Sequence, residues 1–222
     1  RSNLWFLSLQ LWNKNIAHIM FRKCFREPIP EIFQAADILS TAVEFHISWN
    51  INEAKKLFTQ ANNIEVKKWV ESIIGKNSPY IQYNKIPGSL PPIPKENREI
   101  LRMPNIEEKW KIHKRDWYFC RFCWTPVIRA EIRNKIIKAY PNELPWWKTN
   151  ISRHSAFFAM WAQYDHIIPH ARWGDNSLDN LVLTCTACNF WRMNYTLDEV
   201  WIFHPDFSIV SDNPWKGLEN FK

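Results

Sequence analysis

The chain has 222 residues, of which 46% are hydrophobic and 23% charged, so it can bury a sizeable core. This composition excludes a disordered chain, a collagen-like repeat and a coiled coil. The most apolar stretch, residues 4–11, is too short and too polar to cross a bilayer, so we expect no membrane partner. With 29 Lys and Arg against 22 Asp and Glu, the net charge of +7 favours a polyanionic partner.

The cysteine count and the first residues together indicate a compartment. Five Cys is an odd number, which fits a reducing environment better than a framework of disulfides. The start of the chain also lacks the order of cationic, apolar and small residues that a signal peptide needs. We therefore expect a cytoplasmic protein.

Glycine and tryptophan are present in unusual numbers. The chain holds 4 Gly and 14 Trp, whereas ordinary usage would give roughly 16 Gly at this length. Glycine adopts positive φ at little cost, so a chain with 14 Pro and many loops should contain more of it.

Three segments in the first third of the chain have apolar residues at helical spacing. They cover residues 31–46, residues 52–61 with Asn52 as the N-cap, and residues 66–73 with Gly75 as the stop. The pattern predicts a mostly helical N-terminal region over residues 1–86.

A proline-rich segment follows the helical region. Residues 87–94 contain four Pro and a Gly, which is incompatible with a helix or a central strand, and we interpret residues 87–104 as a semi-rigid connector. Beyond it, two short helices are predicted over residues 106–113 and 130–140. We assign residues 105–205 to one domain with a helical insert at 125–162, and residues 206–222 to a C-terminal tail.

Two Cys-x-x-Cys pairs predict a metal site. Cys120 with Cys123 and Cys185 with Cys188 can each present two thiolates to one ion, and together they predict a structural Zn²⁺ site with four cysteine ligands. A redox dithiol needs only one such pair. The roughly 60 residues between the pairs exceed what a compact zinc ribbon uses, so something is inserted between them. Cys24 has no partner in the sequence.

The segment before and across the second pair predicts a β-hairpin followed by a helix. Residues 163–168 and 181–184 have strand character, residues 169–179 form the loop between them, and the helix is expected to begin at Asn189. Zinc would clamp the start of the helix against the hairpin and bring Asp165, His166 and Asn189 together. The fold class predicted is therefore α+β.

These motifs resemble those of a known family. The order Asp-His-Ile-x-Pro, a loop, then Asn-Leu-x-x-x-Cys-x-x-Cys-Asn, with an upstream Cys-x-x-Cys, is similar to the HNH endonucleases of the ββα-metal superfamily, in the variant whose last motif residue is Asn. The resemblance covers about a third of the chain. It implies that His166 is the general base, that Asp165 and Asn189 hold a catalytic divalent cation, and that Asn180 braces the hairpin and orients His166. The family cuts phosphodiester bonds.

The same assignment follows in part from the chemistry of phosphodiester hydrolysis. The reaction needs an activated water and stabilisation of the charge on the phosphate. Histidine can accept a proton near neutral pH, and a carboxylate with an amide oxygen suits Mg²⁺ or Mn²⁺. Adjacent strand residues point to opposite faces, so Asp165 and His166 can serve one site only at a distorted strand end.

Basic side chains near the motif predict contacts with the substrate. His170, Arg172 and Arg192 could bind phosphate oxygens, since they flank the Asp-His pair and the last Asn. The leading function is a metal-dependent endonuclease that cuts DNA. The alternatives are a four-cysteine zinc module that binds nucleic acid without cutting it, and a nuclease that cuts RNA. Oligomeric state is not predicted.

The resemblance also bears on the tryptophans. Sequences similar to this one often carry Gly at four positions that are Trp117, Trp124, Trp173 and Trp191 here. A zinc knuckle usually turns with positive φ after its second Cys, where a bulky residue is strained. Our hypothesis is that some Trp are glycines in the organism, encoded by a codon such as UGA. Trp147 and Trp201 are further candidates for this set, whereas three residues in apolar contexts look genuine: Trp69, Trp110 and Trp161.

Overall fold

The computed structural model describes residues 21–74, 78–80, 82–89, 91–98, 103–208 and 212–222. The apolar stretch at residues 4–11 and the stop at Gly75 lie outside these ranges. Within the described part of the chain, no helix is both long enough and apolar enough to span a bilayer.

The N-terminal region contains three helices, which confirms the helical pattern of the sequence. They are α1 (Pro30–Ile47), α2 (Ile51–Gln60) and α3 (Ile64–Ile73). Helix α1 starts with Pro30, whose fixed φ suits the first helical position, and buries the apolar stripe that the spacing predicted. Helix α2 begins one residue before Asn52, because the N-cap is Asn50.

These helices pack on later parts of the chain. The carbonyl oxygen of Phe58, in α2, lies 2.9 Å from Nε2 of the buried His154. The side-chain oxygen of Asn62 accepts from the Ser155 backbone N–H at 2.9 Å. One hydrophobic core contains residues of the N-terminal helices and residues of the chain beyond the connector. The division of the chain into the segments 1–86, 87–104, 105–205 and 206–222 stays a prediction.

The proline-rich connector lies against the loop that follows the first strand. Proline lacks an N–H, so this segment cannot join a ladder, and it is tied by isolated bonds instead. Ile93 is buried, and its N–H donates to the Ala171 carbonyl at 2.8 Å. The Ser89 hydroxyl donates to the Glu199 carboxylate at 2.7 Å. The connector is thereby fixed beside the hairpin loop.

Three more helices come before the hairpin in the chain: α4 (Ile106–Arg115), α5 (Ala130–Ala139) and α6 (Ser155–Ala159). Helix α4 begins with a capping box, in which Asn105 and Glu108 each accept from the other's backbone N–H. Helices α5 and α6 form the insert between the two cysteine pairs.

The hairpin and the last helix have the order that the sequence predicted. Strand β1 (Gln163–His166) pairs antiparallel with β2 (Leu181–Thr184), and α7 (Thr186–Arg192) follows. Strand β1 is two residues shorter than expected, because the chain leaves the ladder after His166. Helix α7 begins three residues before Asn189, since the extended Cys185 is its N-cap. The described fold is α+β, as predicted.

Candidate functional site

The four paired cysteines form one buried cluster. The Sγ atoms of Cys120, Cys123, Cys185 and Cys188 all lie within 4.8 Å of one another, and those of Cys123 and Cys185 are 3.6 Å apart. Tetrahedral zinc with bonds of about 2.3 Å separates its sulfurs by roughly 3.8 Å. The cluster therefore fits one Zn²⁺ ion.

Burial and mutual hydrogen bonds shape the acidity of these thiols. Burial favours the neutral thiol of Cys120, but hydrogen bonds from the other three sulfurs outweigh it and lower its pKa. Burial raises the pKa of Cys185, and bonds to Cys120 and Cys123 add to the effect. Cys24 is also buried but does not belong to the cluster, and burial raises its pKa.

Backbone and side-chain bonds fasten the first cysteine pair to the hairpin. The N–H of Arg121, between Cys120 and Cys123, donates to the Leu183 carbonyl at 2.9 Å. The carboxylate of the buried Asp116 accepts from the Leu183 N–H at 2.9 Å. Strand β2 is thus held in place before it reaches the second pair.

Asp165 and His166 occupy the end of β1 and line the same small cleft. The cleft is completed by the loop after the strand, by the residues after α7 and by the connector. The chain leaves the strand directly after His166, and both residues line the cleft although they are neighbours on the strand.

Asp165 is held by Arg192 of helix α7. Nε of Arg192 lies 2.8 Å from Oδ2 of Asp165, and a terminal nitrogen lies 2.7 Å from Oδ1. Oδ1 also accepts from the His166 backbone N–H at 2.8 Å. A carboxylate offers about four lone-pair positions, so these three bonds leave room for one further ligand such as a cation.

Asn189 lies on the side of α7 that faces β1. It precedes Arg192 by three residues, so the two side chains share a helix face. Its Nδ2 lies 3.5 Å from Oε1 of Gln163, which shares a strand face with Asp165. The Oδ1 of Asn189 accepts no hydrogen bond from any described residue. Asn189 is not among the residues that line the cleft of Asp165 and His166, and a divalent cation held by Asp165 and Asn189 stays a prediction.

His166 is buried and contacts the hairpin loop. Its Nε2 lies 2.8 Å from Oδ1 of Asn176. The ring of His170 is 5.7 Å from it, centroid to centroid. The resemblance implied that Asn180, not Asn176, orients His166.

Asn180 braces the loop. Its Oδ1 accepts from the Ile168 N–H at 2.8 Å, and its Nδ2 donates to the carbonyls of Ile168 and Asp175 at 3.1 and 2.7 Å. Gly174 lies beside this brace. A Cβ at position 174 would be 1.7 Å from the Ile168 carbonyl oxygen, so a side chain there would clash. The expected bracing role fits these contacts, whereas the described contact of the His166 ring is with Asn176.

The predicted phosphate-binding residues are differently placed. Arg192 is almost fully buried and bonded to Asp165 and to the carbonyls of His166 and Ile167, so its guanidinium does not face a substrate as the sequence predicted. Arg172 is paired with Glu199 at 3.2 Å and is largely buried. His170 lines the cleft beside His166.

Arg98, from the connector, also lines the cleft. Its Nε donates to the Ile93 carbonyl at 2.8 Å, and its terminal nitrogens have no partner among the described residues. Sequence reasoning missed this residue, because only the contact between Ile93 and Ala171 brings it near His166. Asn176 stood within the motif but carried no signal that separated it from other loop residues.

Comparison with known proteins agrees with this geometry. Residues 149–196, which hold the hairpin, the second cysteine pair and α7, match the family model described as HNH endonuclease. The first cysteine pair lies outside the matched segment. Neither the curated proteins nor the solved structures contain a match to the chain. The segment of residues 149–196, about a fifth of the chain, is thus similar to the HNH endonuclease family.

Proposed function

We propose that the protein is a metal-dependent endonuclease that hydrolyses phosphodiester bonds in DNA. The observation that carries the proposal is the placement of Asp165 and His166 in one cleft at the end of β1, beside a helix fastened by the cysteine cluster. A nucleic-acid-binding module would not need a histidine and a carboxylate together in such a cleft. The match to the HNH endonuclease family supports the same conclusion.

His166 is the general base in this proposal. Its ring is buried at the cleft, where it can accept a proton from the attacking water. Asp165 and Asn189 would hold Mg²⁺ or Mn²⁺, and such an ion supplies charge stabilisation for the phosphate and the leaving oxygen. Arg192 keeps the Asp165 carboxylate facing α7, and a Zn²⁺ ion on the four cysteines would keep α7 against the hairpin.

Charge near the cleft supports an anionic substrate. Arg98 and His170 both line it, and Arg98 has terminal nitrogens without described partners. A guanidinium binds phosphate oxygens in a bidentate manner. The net charge of +7 is consistent with a nucleic acid as the partner.

A plasmid-nicking assay tests the proposal. Zinc-loaded protein with Mg²⁺ or Mn²⁺ should convert supercoiled DNA to nicked or linear forms, and EDTA should stop the reaction. His166→Ala should cut at least 100-fold more slowly while it retains zinc and DNA binding. Asn142→Ala, at an exposed position away from the cleft, is the matched control.

Two other results would support a different function or a different substrate. Plasmid left intact by protein that still binds DNA would indicate a zinc module without catalysis. Cleavage of RNA but not DNA by the wild type, lost in His166→Ala, would keep the mechanism and change the substrate.

A further inference from the structure

The hairpin loop supplies the partner of the proposed general base. Oδ1 of Asn176 lies 2.8 Å from Nε2 of His166. An amide oxygen only accepts hydrogen bonds, so this contact places the ring hydrogen on Nε2 and leaves the lone pair on Nδ1.

The loop holds Asn176 from both sides. The carbonyl of Asp175 accepts from Nδ2 of Asn180 at 2.7 Å. The Asp175 carboxylate accepts from the Ser177 N–H and hydroxyl at 3.1 and 2.7 Å. The residues before and after Asn176 are therefore tethered, which fixes the direction from which its side chain approaches the ring.

We propose that Asn176 is the positioning residue of His166, and that it selects the tautomer in which Nδ1 is the base. The inference rests on the proposed nuclease function. Asn176 acts through His166 and does not touch the substrate. A fixed tautomer and ring orientation raise the fraction of molecules ready to accept the proton from water.

The tautomer can be measured without any reaction. Long-range ¹H–¹⁵N correlation spectra of zinc-loaded protein, at a pH above the ordinary pKa of histidine, report which ring nitrogen carries the hydrogen. The His166→Ala spectrum identifies the signal. We expect hydrogen on Nε2 in the wild type, a mixture in Asn176→Ala, and hydrogen on Nε2 again in Asn176→Asp, which keeps an acceptor.

Kinetics provide the second readout. Asn176→Ala should lower kcat by roughly 10- to 100-fold with KM little changed, and Asn176→Asp should recover most of the loss. A wild-type ring with hydrogen on Nδ1, or an Asn176→Ala variant that cuts like the wild type, would overturn the inference. Failure of the wild type to cut would instead count against the proposed function, and the spectra would still decide the tautomer.

A separate observation concerns the backbone. Eight non-glycine residues among the described ones have positive φ, and five of them are tryptophans. Positive φ is uncommon for any residue except glycine, and for a bulky side chain it is a strained conformation. The five, with φ between 52° and 68°, are Trp49, Trp117, Trp124, Trp173 and Trp201.

Two of them close α-helices in the manner of glycine. After α1, the Trp49 N–H donates to the His46 carbonyl, and the Asn50 N–H donates to the Phe45 carbonyl. After α4, the Trp117 N–H donates to the Lys114 carbonyl, and the Tyr118 N–H donates to the His113 carbonyl. Both patterns are the Schellman motif, in which the left-handed position is usually Gly. The side chain of Trp49 is 88% exposed, so packing does not offset the strain.

The other three end tighter turns. Trp124 follows the first cysteine pair, and its N–H donates to the Cys120 carbonyl at 2.8 Å. Trp173 and Trp201 each follow a single turn of 3₁₀ helix, in the left-handed conformation. Trp173 is 71% exposed.

Other tryptophans behave as ordinary apolar residues. Trp69 is buried in α3 and its indole N–H donates to the Glu27 carbonyl at 2.8 Å. Trp110 and Trp161 do not have positive φ. Trp147 and position 191 also lack a positive φ, and position 191 lies within α7. The backbone therefore does not support glycine at 147 or 191.

We infer that the natural protein carries glycine at 49, 117, 124, 173 and 201. Each position would then be encoded by a codon such as UGA, which different genetic codes translate differently. The inference accounts for the low Gly count, the high Trp count and the clustering of Trp at left-handed positions.

The codons of the gene decide the question. We expect UGA at these five positions and UGG at 69, 110 and 161. Peptide mass spectrometry of the protein from its source should show Gly at the five positions. UGG at all five, or Trp in those peptides, would overturn the inference.

Discussion

The guanidinium of Arg192 forms a two-bond ion pair with the carboxylate of Asp165, at 2.8 and 2.7 Å. The pair joins the third residue of β1 to the last residue of α7. Arg192 also donates to the carbonyls of His166 and Ile167, where the chain leaves the strand. One buried side chain thus orients the proposed metal ligand and shapes the strand end.

Removal of Arg192 should therefore damage both stability and activity. Arg192→Ala leaves a largely buried carboxylate and two carbonyls without their donors, which typically costs about 3–5 kcal/mol. We expect the free energy of unfolding in urea to fall by about that amount and cleavage to be lost. Arg192→Lys keeps the charge but not the two-bond geometry, so its loss should be intermediate. An unchanged urea midpoint in Arg192→Ala would contradict this account.

The cysteine cluster predicts one zinc ion for each chain. Cys123→Ser should lose zinc and unfold the region around α7, because an ion shared by the four cysteines would hold the two pairs together. Cys24→Ala is the matched control, since Cys24 is equally buried but outside the cluster. Metal analysis of the purified proteins checks the ratio. Equal zinc loss in the two variants would show that Cys24 takes part in the site.

Much of this site can be predicted from local sequence signals. The spacing of the cysteines predicts the cluster, and alternation with turn residues predicts both strands. The start of α7 is harder to predict, since Cys185 serves as ligand and N-cap together and the sequence gives no separate sign of the second role. The N-terminal helices follow from periodicity alone.

Tertiary contacts explain what the sequence could not predict. Arg192 resembled an exposed cation in the sequence, yet α7 turns it toward Asp165 and buries it. Arg98 lies far from His166 along the chain and reaches the cleft only because Ile93 bonds Ala171. Asn176 and Asn180 are equivalent residue types in one loop, and only the fold distinguishes the brace from the partner of His166.

Glycine at position 124 should improve zinc retention. Trp124 has φ of 60° directly after Cys123, so the knuckle bears the strain of a bulky left-handed residue, of order 1–3 kcal/mol. Trp124→Gly should therefore lower the rate at which a chelator removes zinc, and Trp117→Gly and Trp173→Gly should raise thermal stability. Position 191, which the resemblance groups with these three, lies in a helix, where Gly costs about 1 kcal/mol. Trp191→Gly is accordingly the control that should not stabilise. Equal zinc retention in Trp124→Gly and the parent would show that the knuckle tolerates Trp.

Two buried histidines should make stability depend on pH. Burial lowers the pKa of His154 to about 4 and that of His113 to about 3. Above the ordinary value near 6.5 both states are neutral, so neither residue affects stability. As the pH falls below it, the unfolded chain takes up protons that the folded chain cannot, and the free energy of unfolding falls.

For His154 the loss reaches about 3 kcal/mol near pH 4, and His113 continues the fall to lower pH. His154→Gln removes the titrating group, and the glutamine amide can still donate to the Phe58 carbonyl. The free energy of unfolding of this variant should therefore fall less steeply between about pH 6.5 and pH 4. His204→Gln, at an exposed position, should keep the wild-type slope. Urea unfolding at a series of pH values compares the three proteins. If His154→Gln and the wild type lose stability in parallel, His154 is not the group responsible, and its buried contact with α2 does not depend on its charge.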